Sequence, residues 1–184
     1  MLINGLLKGN KIRLTSLKDS DIIDIAAWYE DAYSLRLFDT MPSFPYSERH
    51  ISNWIRTRQE SNENYMFAIR PIDNDNFLGY TDLNDISWNN KVANLSIGIG
   101  TKDARGKGYG TEAMKLVLQF GFHELNLHRI QLNVLSYNEP AIALYEKVGF
   151  IREGSYREFV QRDGKKYDMY LYGILYPEWL KIQK

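Results

Sequence analysis

A glycine-rich segment between a strand-like stretch and a helix-like stretch limits the folds open to this chain more than any other feature. The segment runs from Ile97 to Ala113 and includes Gly106, Gly108 and Gly110. A turn of this kind directs backbone N–H groups and the positive end of a helix toward one point, which suits a diphosphate. The same glycines would also serve a tight strand-to-helix turn without a ligand, so the segment alone leaves both interpretations open.

The stretches on either side of this segment predict one α/β domain over residues 1–184. Three strand-like stretches joined by turn-forming residues predict an antiparallel meander that leads into the glycines. The helix-like stretch and the strand-like stretch after them predict a parallel crossover unit. The strand-like stretches are Lys11–Thr15, Tyr65–Arg70, Phe77–Leu83, Val92–Ile99, Arg129–Leu135, Phe150–Val160 and Tyr167–Leu175.

Helices are expected where apolar residues recur at helical spacing after a capping residue. Such starts occur at Asp19–Asp21, at Ser47, at the glycine segment and at Asn138. The apolar segment Ser34–Tyr46 contains two prolines and is expected to be irregular and packed against the rest of the domain, either as ordinary core filler or as the wall of a cleft. Gly98 lies within a strand-like stretch, which predicts a bulge or a close backbone approach.

Composition excludes several classes of function. The chain has no cysteine, so disulfides, thiolate metal sites and a cysteine nucleophile are excluded. Its formal net charge is zero and no apolar run approaches the roughly 20 residues of a membrane span, which argues against nucleic-acid and membrane partners. The three histidines form no metal-binding pattern. The stretch Met1–Gly5 lacks the zones of a signal peptide, so a cytoplasmic protein is expected.

Two common nucleotide-binding motifs do not fit the glycine segment. A dinucleotide fold requires Gly-x-Gly-x-x-Gly and an acidic residue about 20 positions later, whereas this chain has Arg129–Gln131 near that position. A phosphate loop of the nucleoside-triphosphatase kind requires Gly-Lys followed by serine or threonine, and Gly108-Tyr109 breaks that pattern.

Two motifs together resemble the GNAT family of N-acetyltransferases. Arg105–Gly110 fits the family's pyrophosphate motif, Gln/Arg-x-x-Gly-x-Gly/Ala, and Asn138–Phe150 is similar to its second signature, Asn-x-x-Ala-x-x-Leu-Tyr-x-x-x-Gly-Phe. The final hairpin resembles the branch that acetylates ribosomal proteins and polyamines. The resemblance implies a mixed central sheet of about seven strands, splayed between the fourth and fifth, with about four helices.

The resemblance also implies that acetyl-CoA is the cosubstrate. In the family the helix N-terminus binds the diphosphate, the pantetheine arm adds to the fourth strand like a further strand, and an asparagine bonds the pantetheine amide. A role for Asn138 as a helix cap alone is the alternative. The implied coenzyme-binding residues are Ile97, Ile99, Arg105, Gly106, Lys107, Gly108, Tyr109, Gly110, Thr111 and Asn138.

The resemblance further implies candidates for acid and base catalysis. In the family a tyrosine at the position of Tyr145 protonates the departing thiolate, although helical spacing alone would predict a core tyrosine. Many relatives carry a glutamate base at the position that corresponds to Asn94, so the chain departs from the family's pattern there. Asp82 and Ser96 are the candidates for the base, directly or through water, and a solvated surface role is the alternative for each.

The expected reaction is direct attack of a primary amine on the thioester in a ternary complex, without a metal. An enzyme that lacks a strong base suits an α-amine or another weakly basic amine, because a larger fraction of such an amine is neutral near pH 7. A non-catalytic acyl-CoA sensor is the alternative. The sequence leaves open a ribosomal-protein N-terminus, a polyamine, an amino sugar or an antibiotic as the acceptor, and a homodimer as the assembly. Acceptor contacts are expected around Phe38, Trp54, Trp88 and the last hairpin.

Overall fold

A computed structural model describes residues 5–100 and 102–183, so Met1–Asn4 of the amino-terminal stretch and Thr101 of the glycine segment lie outside the described residues. A seven-stranded sheet forms the centre, with the strand order β1-β2-β3-β4-β5-β7-β6. The strands are β1 (Ile12–Thr15), β2 (Tyr65–Pro71), β3 (Gly79–Ser87), β4 (Val92–Ile99), β5 (Arg129–Leu135), β6 (Ile151–Arg162) and β7 (Lys165–Leu175).

The sheet is mixed, and it opens between its two parallel strands. The strands β1 to β4 pair antiparallel in sequence order, which confirms the predicted meander. The strands β4 and β5 pair in parallel only from Val92 opposite Arg129 to Asn94 opposite Gln131. Since β4 continues to Ile99 and β5 to Leu135, the two strands diverge beyond Asn94. This confirms the splayed seven-stranded sheet.

The prediction of about four helices is wrong, because six α-helices lie within residues 5–100 and 102–183. Two of them were missed because each has only seven residues, too few for a clear apolar period. The helices are α1 (Asp21–Trp28), α2 (Ala32–Phe38), α3 (Glu48–Gln59), α4 (Tyr109–Gln119), α5 (Glu139–Val148) and α6 (Tyr176–Ile182), with a 3-10 turn at Lys102–Ala104 and a π-helical turn at Phe120–Glu124.

The helix α2 overlaps the first residues of the segment Ser34–Tyr46, which was expected to be irregular. Its N-cap is Asp31, whose carboxylate accepts hydrogen bonds from the backbone N–H groups of Tyr33 and Ser34 at 3.1 and 3.4 Å. The helix ends at Phe38, before Pro42. The segment therefore contains a capped helix that places side chains at fixed positions.

Hydrophobic clusters cover both faces of the sheet. Side chains alternate along β2, so the neighbours Ala68 and Ile69 belong to different clusters. The larger cluster includes α4 and α5, and the smaller one includes α1 and α3. A buried ion pair of 2.6 Å between Arg70 and Asp21 ties β2 to α1. None of the helices in the described part of the chain is long and apolar enough to cross a membrane.

The outer strand β6 is irregular. Its register with β7 shifts between Arg152 and Gly154 and again between Tyr156 and Val160. Glu158, in the second of these irregularities, has a φ of 53°. Of the two alternatives predicted at Gly98, the bulge is wrong, since the irregularity between β3 and β4 lies between Asn84 and Ser87.

Candidate active site

The divergence of β4 and β5 opens a cavity of about 580 Å³. Its walls come from the ends of these strands, the glycine loop, the first turn of α4, the inner side of α5 and the end of α2. The predicted site residues Ser96, Ile97, Ile99, Arg105, Gly106, Gly108, Tyr109, Gly110, Thr111, Asn138 and Tyr145 all line it. Of the predicted site, Lys107 and Asp82 are outside the lining.

The glycine loop brings backbone N–H groups to one end of this cavity. Gly106 and Gly108 have φ angles of 75° and 87°, a left-handed conformation that side chains rarely adopt. Gly108 is the N-cap of α4 and has no side chain with which to cap the helix. The first-turn N–H groups are therefore available to an anion at the positive end of an eleven-residue helix.

Two cations lie beside the loop. The Lys11 ammonium donates to the backbone carbonyl of Lys107 at 3.1 Å. The Arg105 guanidinium donates through Nε to the carbonyl of Ile99 at 3.3 Å and through a terminal nitrogen to Ser34 Oγ at 3.2 Å. Arg105 thus joins the end of β4 to α2, and both cations add positive charge beside the N–H groups of the glycine loop.

Asn138 is both a helix cap and a link across the cavity. Its Oδ1 accepts from the backbone N–H of Ala141 at 3.3 Å, which caps α5. Its Nδ2 donates to the carbonyl of Leu37 in α2 at 2.9 Å. The side chain therefore does more than cap α5, because its donor reaches the helix on the opposite wall.

Tyr145 faces the cavity from α5 and is largely enclosed by protein. The residue is 8% exposed and packs near the rings of Phe150 and Tyr172. Burial raises the pKa of the Tyr145 phenol to about 12. Within residues 5–100 and 102–183 no group is hydrogen-bonded to its hydroxyl, so the phenol is free to donate to a bound molecule.

The two candidate bases are neighbours on adjacent strands. Asp82 of β3 lies opposite Ser96 of β4, and Ser96 faces the cavity while Asp82 lies behind it. Asp82 is 1% exposed, and one of its carboxylate oxygens accepts from Arg58 at 2.5 Å. The other accepts from the amide of Asn84 at 3.2 Å. Burial raises the pKa of Asp82, and the nearby charge of Arg58 opposes this shift.

Asn94, at the position of the glutamate that many relatives carry, lies away from the cavity. Its amide nitrogen donates to Asp85 at 3.1 Å, and its oxygen accepts from Gln131 at 3.1 Å. Both contacts lie where the sheet is still closed. Asn94 links neighbouring strands rather than facing a substrate.

Of the aromatic residues expected to contact an acceptor, only Phe38 lines the cavity. Its ring lies against the backbone of Gly98, where a Cβ would stand 2.0 Å from the ring. Trp54 packs edge-on against Tyr80, and Trp88 donates through its indole nitrogen to the carbonyl of Asn62. The close backbone approach predicted at Gly98 is therefore the approach of an aromatic ring.

Further lining residues were expected only as parts of larger segments or were not expected at all. Ser34, Leu37 and Thr40 belong to the apolar segment Ser34–Tyr46, and Met169 belongs to the last hairpin, where acceptor contacts were expected. The capping signal at Asp31 could have revealed α2. Asn133 of β5 was not predicted and carries no comparable signal, because strand pairing alone places it there. No cluster of three possible metal ligands occurs among the described residues.

Comparison with known proteins gives a consistent result. The acetyltransferase (GNAT) domain family matches residues 11–151. A prophage-derived uncharacterised N-acetyltransferase of Bacillus subtilis (strain 168), YokL, is 29% identical over 93% of each chain. A putative ribosomal N-acetyltransferase of the same organism, YdaF, is 30% identical over 73% of this chain and 71% of the relative.

The fold is also found among solved structures. Spermidine N-acetyltransferase from Vibrio cholerae, in a complex with CoA and spermine, superposes with a TM-score of 0.83. The match covers 92% of this chain and 98% of that one, at 24% identity. The two proteins therefore share their architecture.

Proposed function

The chain belongs to the acetyltransferase (GNAT) family and is an acetyl-CoA-dependent N-acetyltransferase, and we propose how its residues carry out the reaction. An amine attacks the thioester directly in the cavity between β4 and β5. The observation that supports this most is that the glycine loop, Ser96 and Tyr145 line the same cavity. This arrangement supports a reaction that needs a diphosphate site, a polar group and a phenol at one place.

In this proposal the coenzyme lies along the open edge of β4. The diphosphate binds the N–H groups from Gly106 to Thr111, including those of Lys107, Tyr109 and Gly110, beside Arg105. Beyond the last β4–β5 pair, the backbone groups of Ile97 and the N–H of Ile99 would serve the pantetheine amides, as an added strand would use them, while the Ile99 carbonyl accepts from Arg105. Asn138 contributes its amide.

Tyr145 is the proposed general acid. With a pKa of about 12, the phenol keeps its proton throughout the neutral range and can donate it to the departing thiolate. Burial disfavours every anion in the cavity, including the thiolate of the coenzyme. It therefore raises the proton affinity of this thiolate together with that of the Tyr145 phenolate. Asp82 or Ser96 is the proposed base, because one is a buried carboxylate and the other faces the cavity.

The proposed acceptor is an α-amine at the end of a peptide or another weakly basic amine. The charged residues that line the cavity are Arg105 and Lys147, and no aspartate or glutamate of the described residues joins them. A polyamine carries several positive charges and would meet cations without matching carboxylates. An acceptor with a single amine avoids this electrostatic repulsion.

Release of free thiol from acetyl-CoA across a panel of amines tests the proposed function. The panel contains peptides with free and blocked N-termini, a polyamine, an amino sugar and an aminoglycoside. We expect peptides with a free N-terminus to be acetylated faster than the polyamine. A preference for the polyamine would refute the acceptor class, and coenzyme binding without thiol release from any amine would indicate a sensor.

The proposal extends to a cytoplasmic domain spanning residues 1–184 that forms a homodimer. The support for self-association is an apolar patch on β6, where Tyr156 and Phe159 stack with ring centroids 5.6 Å apart. Both residues are 51% exposed, and exposed apolar patches commonly mark interaction surfaces. Light scattering that gives only the monomer mass at micromolar concentration would remove this part of the proposal.

A further inference from the structure

We propose that Ser96 and Asp82 work as one proton relay, and that Asn84 and Arg58 are the positioning residues that hold it. The inference rests on the proposed acetyl transfer and specifies how the acceptor amine loses its proton. It replaces two alternative bases by a single chain of groups that leads from the cavity to the α3 side of the sheet.

The hydrogen bonds of Ser96 leave it in the right state to pass on a proton. Its hydroxyl accepts from Asn84 Nδ2 at 3.1 Å. Ser96 also lies directly opposite Asp82 and helps to lower the pKa of that carboxyl, as a hydroxyl does when it donates to a carboxylate, which can only accept. A serine oxygen has two lone pairs, and Asn84 uses one of them. The second is available to an N–H group of an amine in the cavity.

Asp82 is the end of the relay because it is out of direct reach of the substrate. The carboxylate lies behind Ser96 and outside the cavity lining, so the hydroxyl of Ser96 is its link to the cavity. Asn84 Nδ2 donates to both Asp82 Oδ1 and Ser96 Oγ, at 3.2 and 3.1 Å. One amide thereby fixes the orientation of both groups.

Arg58 holds the far side of the carboxylate and meets solvent. Its guanidinium donates to Asp82 Oδ2 at 2.5 Å, and its side chain is 32% exposed while that of Asp82 is 1% exposed. Asp82 therefore holds the proton beside the Arg58 guanidinium, which cannot accept it, and returns it through Ser96 once the product leaves the cavity. The other titratable groups in this neighbourhood are the phenols of Tyr29 and Tyr80 and the carboxylate of Asp39.

The proton balance of the reaction is complete with these groups. The amine nitrogen forms a bond to the acetyl carbon while the carbon–sulfur bond breaks. An ammonium acceptor loses two protons: one passes to Ser96 as the hydroxyl proton of Ser96 moves to Asp82, and the other replaces the proton that Tyr145 gives to the thiolate. The raised pKa of Asp82 makes this carboxylate a stronger base than one in water.

A comparison of two acceptors separates a relay from a structural role. The variants Ser96→Ala and Asp82→Asn are assayed with an alkylamine, which is protonated at neutral pH, and with an alkoxyamine, which is not. We expect each variant to lower kcat with the alkylamine by about a hundredfold, the usual scale of general base catalysis, and to change kcat with the alkoxyamine less than threefold. The double variant should be no slower than the slower single variant, since the residues act as a unit.

Thr81→Val is the matched control. The Thr81 hydroxyl donates to the backbone carbonyl of Ser96 at 2.8 Å but has no place in the relay. This variant should leave the ratio of kcat with the alkylamine to kcat with the alkoxyamine unchanged. The coenzyme Kd is measured for every variant, and a value equal to that of the unaltered protein shows that the cavity is intact.

The positioning role of Arg58 has its own readout. Arg58→Met removes the cation that opposes the raised pKa of Asp82, so the carboxylate should ionise at higher pH. The rise of kcat with pH should then occur at a higher pH. Arg58→Lys should bring this rise most of the way back to its pH in the unaltered protein. Asn84→Ala should lower kcat with the alkylamine selectively, with little change in the coenzyme Kd.

Three results would overturn the relay: equal losses with the two acceptors, normal alkylamine turnover in Ser96→Ala, or an unshifted pH profile in Arg58→Met. Absence of thiol release by the unaltered protein with any amine would instead refute the proposed function. The two failures are thus distinguishable.

Discussion

At the scale of single residues, the environment of Tyr145 determines how the site can respond to pH. Burial raises the pKa of the phenol to about 12, so the proton stays on the oxygen until strongly alkaline pH. The hydroxyl has no protein partner among the described residues, and its removal should disturb little else. A chemical role and a packing role are therefore separable at this position.

Tyr145→Phe should lower kcat by about 10²- to 10⁴-fold, the range for loss of a general acid, and leave the coenzyme Kd within twofold. The unaltered protein should show no fall in kcat between pH 8 and about pH 10, because Tyr145 remains protonated there. Stopped assays of thiol release and titration calorimetry with CoA measure the two effects. Unchanged turnover in the variant would remove Tyr145 from the mechanism.

Local sequence signals predicted those functional residues that depend on local structure. Gly108 and Asn138 could be recognised because a left-handed glycine and a helix cap have local sequence patterns. Arg58 and Asn84 could not, since their importance comes from a contact with Asp82 across strands and helices. A buried carboxylate next to an arginine has no sequence signature.

At the scale of elements, α2 is a cover over the opening between β4 and β5. Polar contacts attach it to both sides of the cavity: Arg105 to Ser34, Asn138 to Leu37 and Tyr137 to Arg36. Arg162 at the end of β6 donates to the carbonyls of Asp39, Thr40 and Met41 just after the helix. The cover thus takes part of its support from Arg105 and Asn138, the proposed coenzyme-binding residues.

The position of the cover depends on Gly98. Gly98→Ala should displace Phe38, because the new Cβ would stand 2.0 Å from its ring. We expect a loss of about 1 kcal/mol in the free energy of unfolding, the lower end of the range for overpacking, because the nearest atom is the tip of a half-exposed ring. The KM for the amine should also change. Urea denaturation and acceptor kinetics measure these effects.

Removal of the ring provides the control for this prediction. In Gly98→Ala combined with Phe38→Ala, the steric conflict is gone, so the double variant should be no less stable than Phe38→Ala alone. A Gly98→Ala protein as stable as the parent would contradict the packing described for α2.

The predicted strands were more accurate than the predicted helices for a physical reason. The meander and the final hairpin have turn residues such as Asp163-Gly164, and their alternation is clear even in short stretches. The helix α2 has one buried residue, Leu35, and its seven residues are too few to show a helical period. Its position follows from contacts with Arg105 and Asn138, which are distant in sequence.

At the scale of the whole molecule, the sheet is incomplete without a ligand. Three residue pairs join β4 to β5, so the halves of the sheet are linked weakly at this point. A molecule that hydrogen-bonds along β4 and contacts α5 would connect the halves. Coenzyme binding should therefore stabilise the molecule as a whole.

CoA at 100 times its Kd should stabilise the folded state by about 2.7 kcal/mol. For a chain of this size the corresponding rise in Tm is roughly 5–10 °C. Scanning calorimetry or thermal-shift fluorescence measures the change, with adenosine at the same concentration as the control because it lacks the diphosphate and pantetheine. A rise equally large with adenosine would show that the glycine loop and β4 do not contribute as proposed.

The interrupted register of β6 affects how molecules of this protein associate with one another at high concentration. A regular outer strand offers an unbroken row of backbone donors and acceptors, on which further chains could assemble into a fibre. The shifts at Arg152–Gly154 and Tyr156–Val160 divide that row into short pieces that no straight strand can follow. The irregular strand thus disfavours edge-to-edge growth from β6, while its side chains stay free for contacts of limited size.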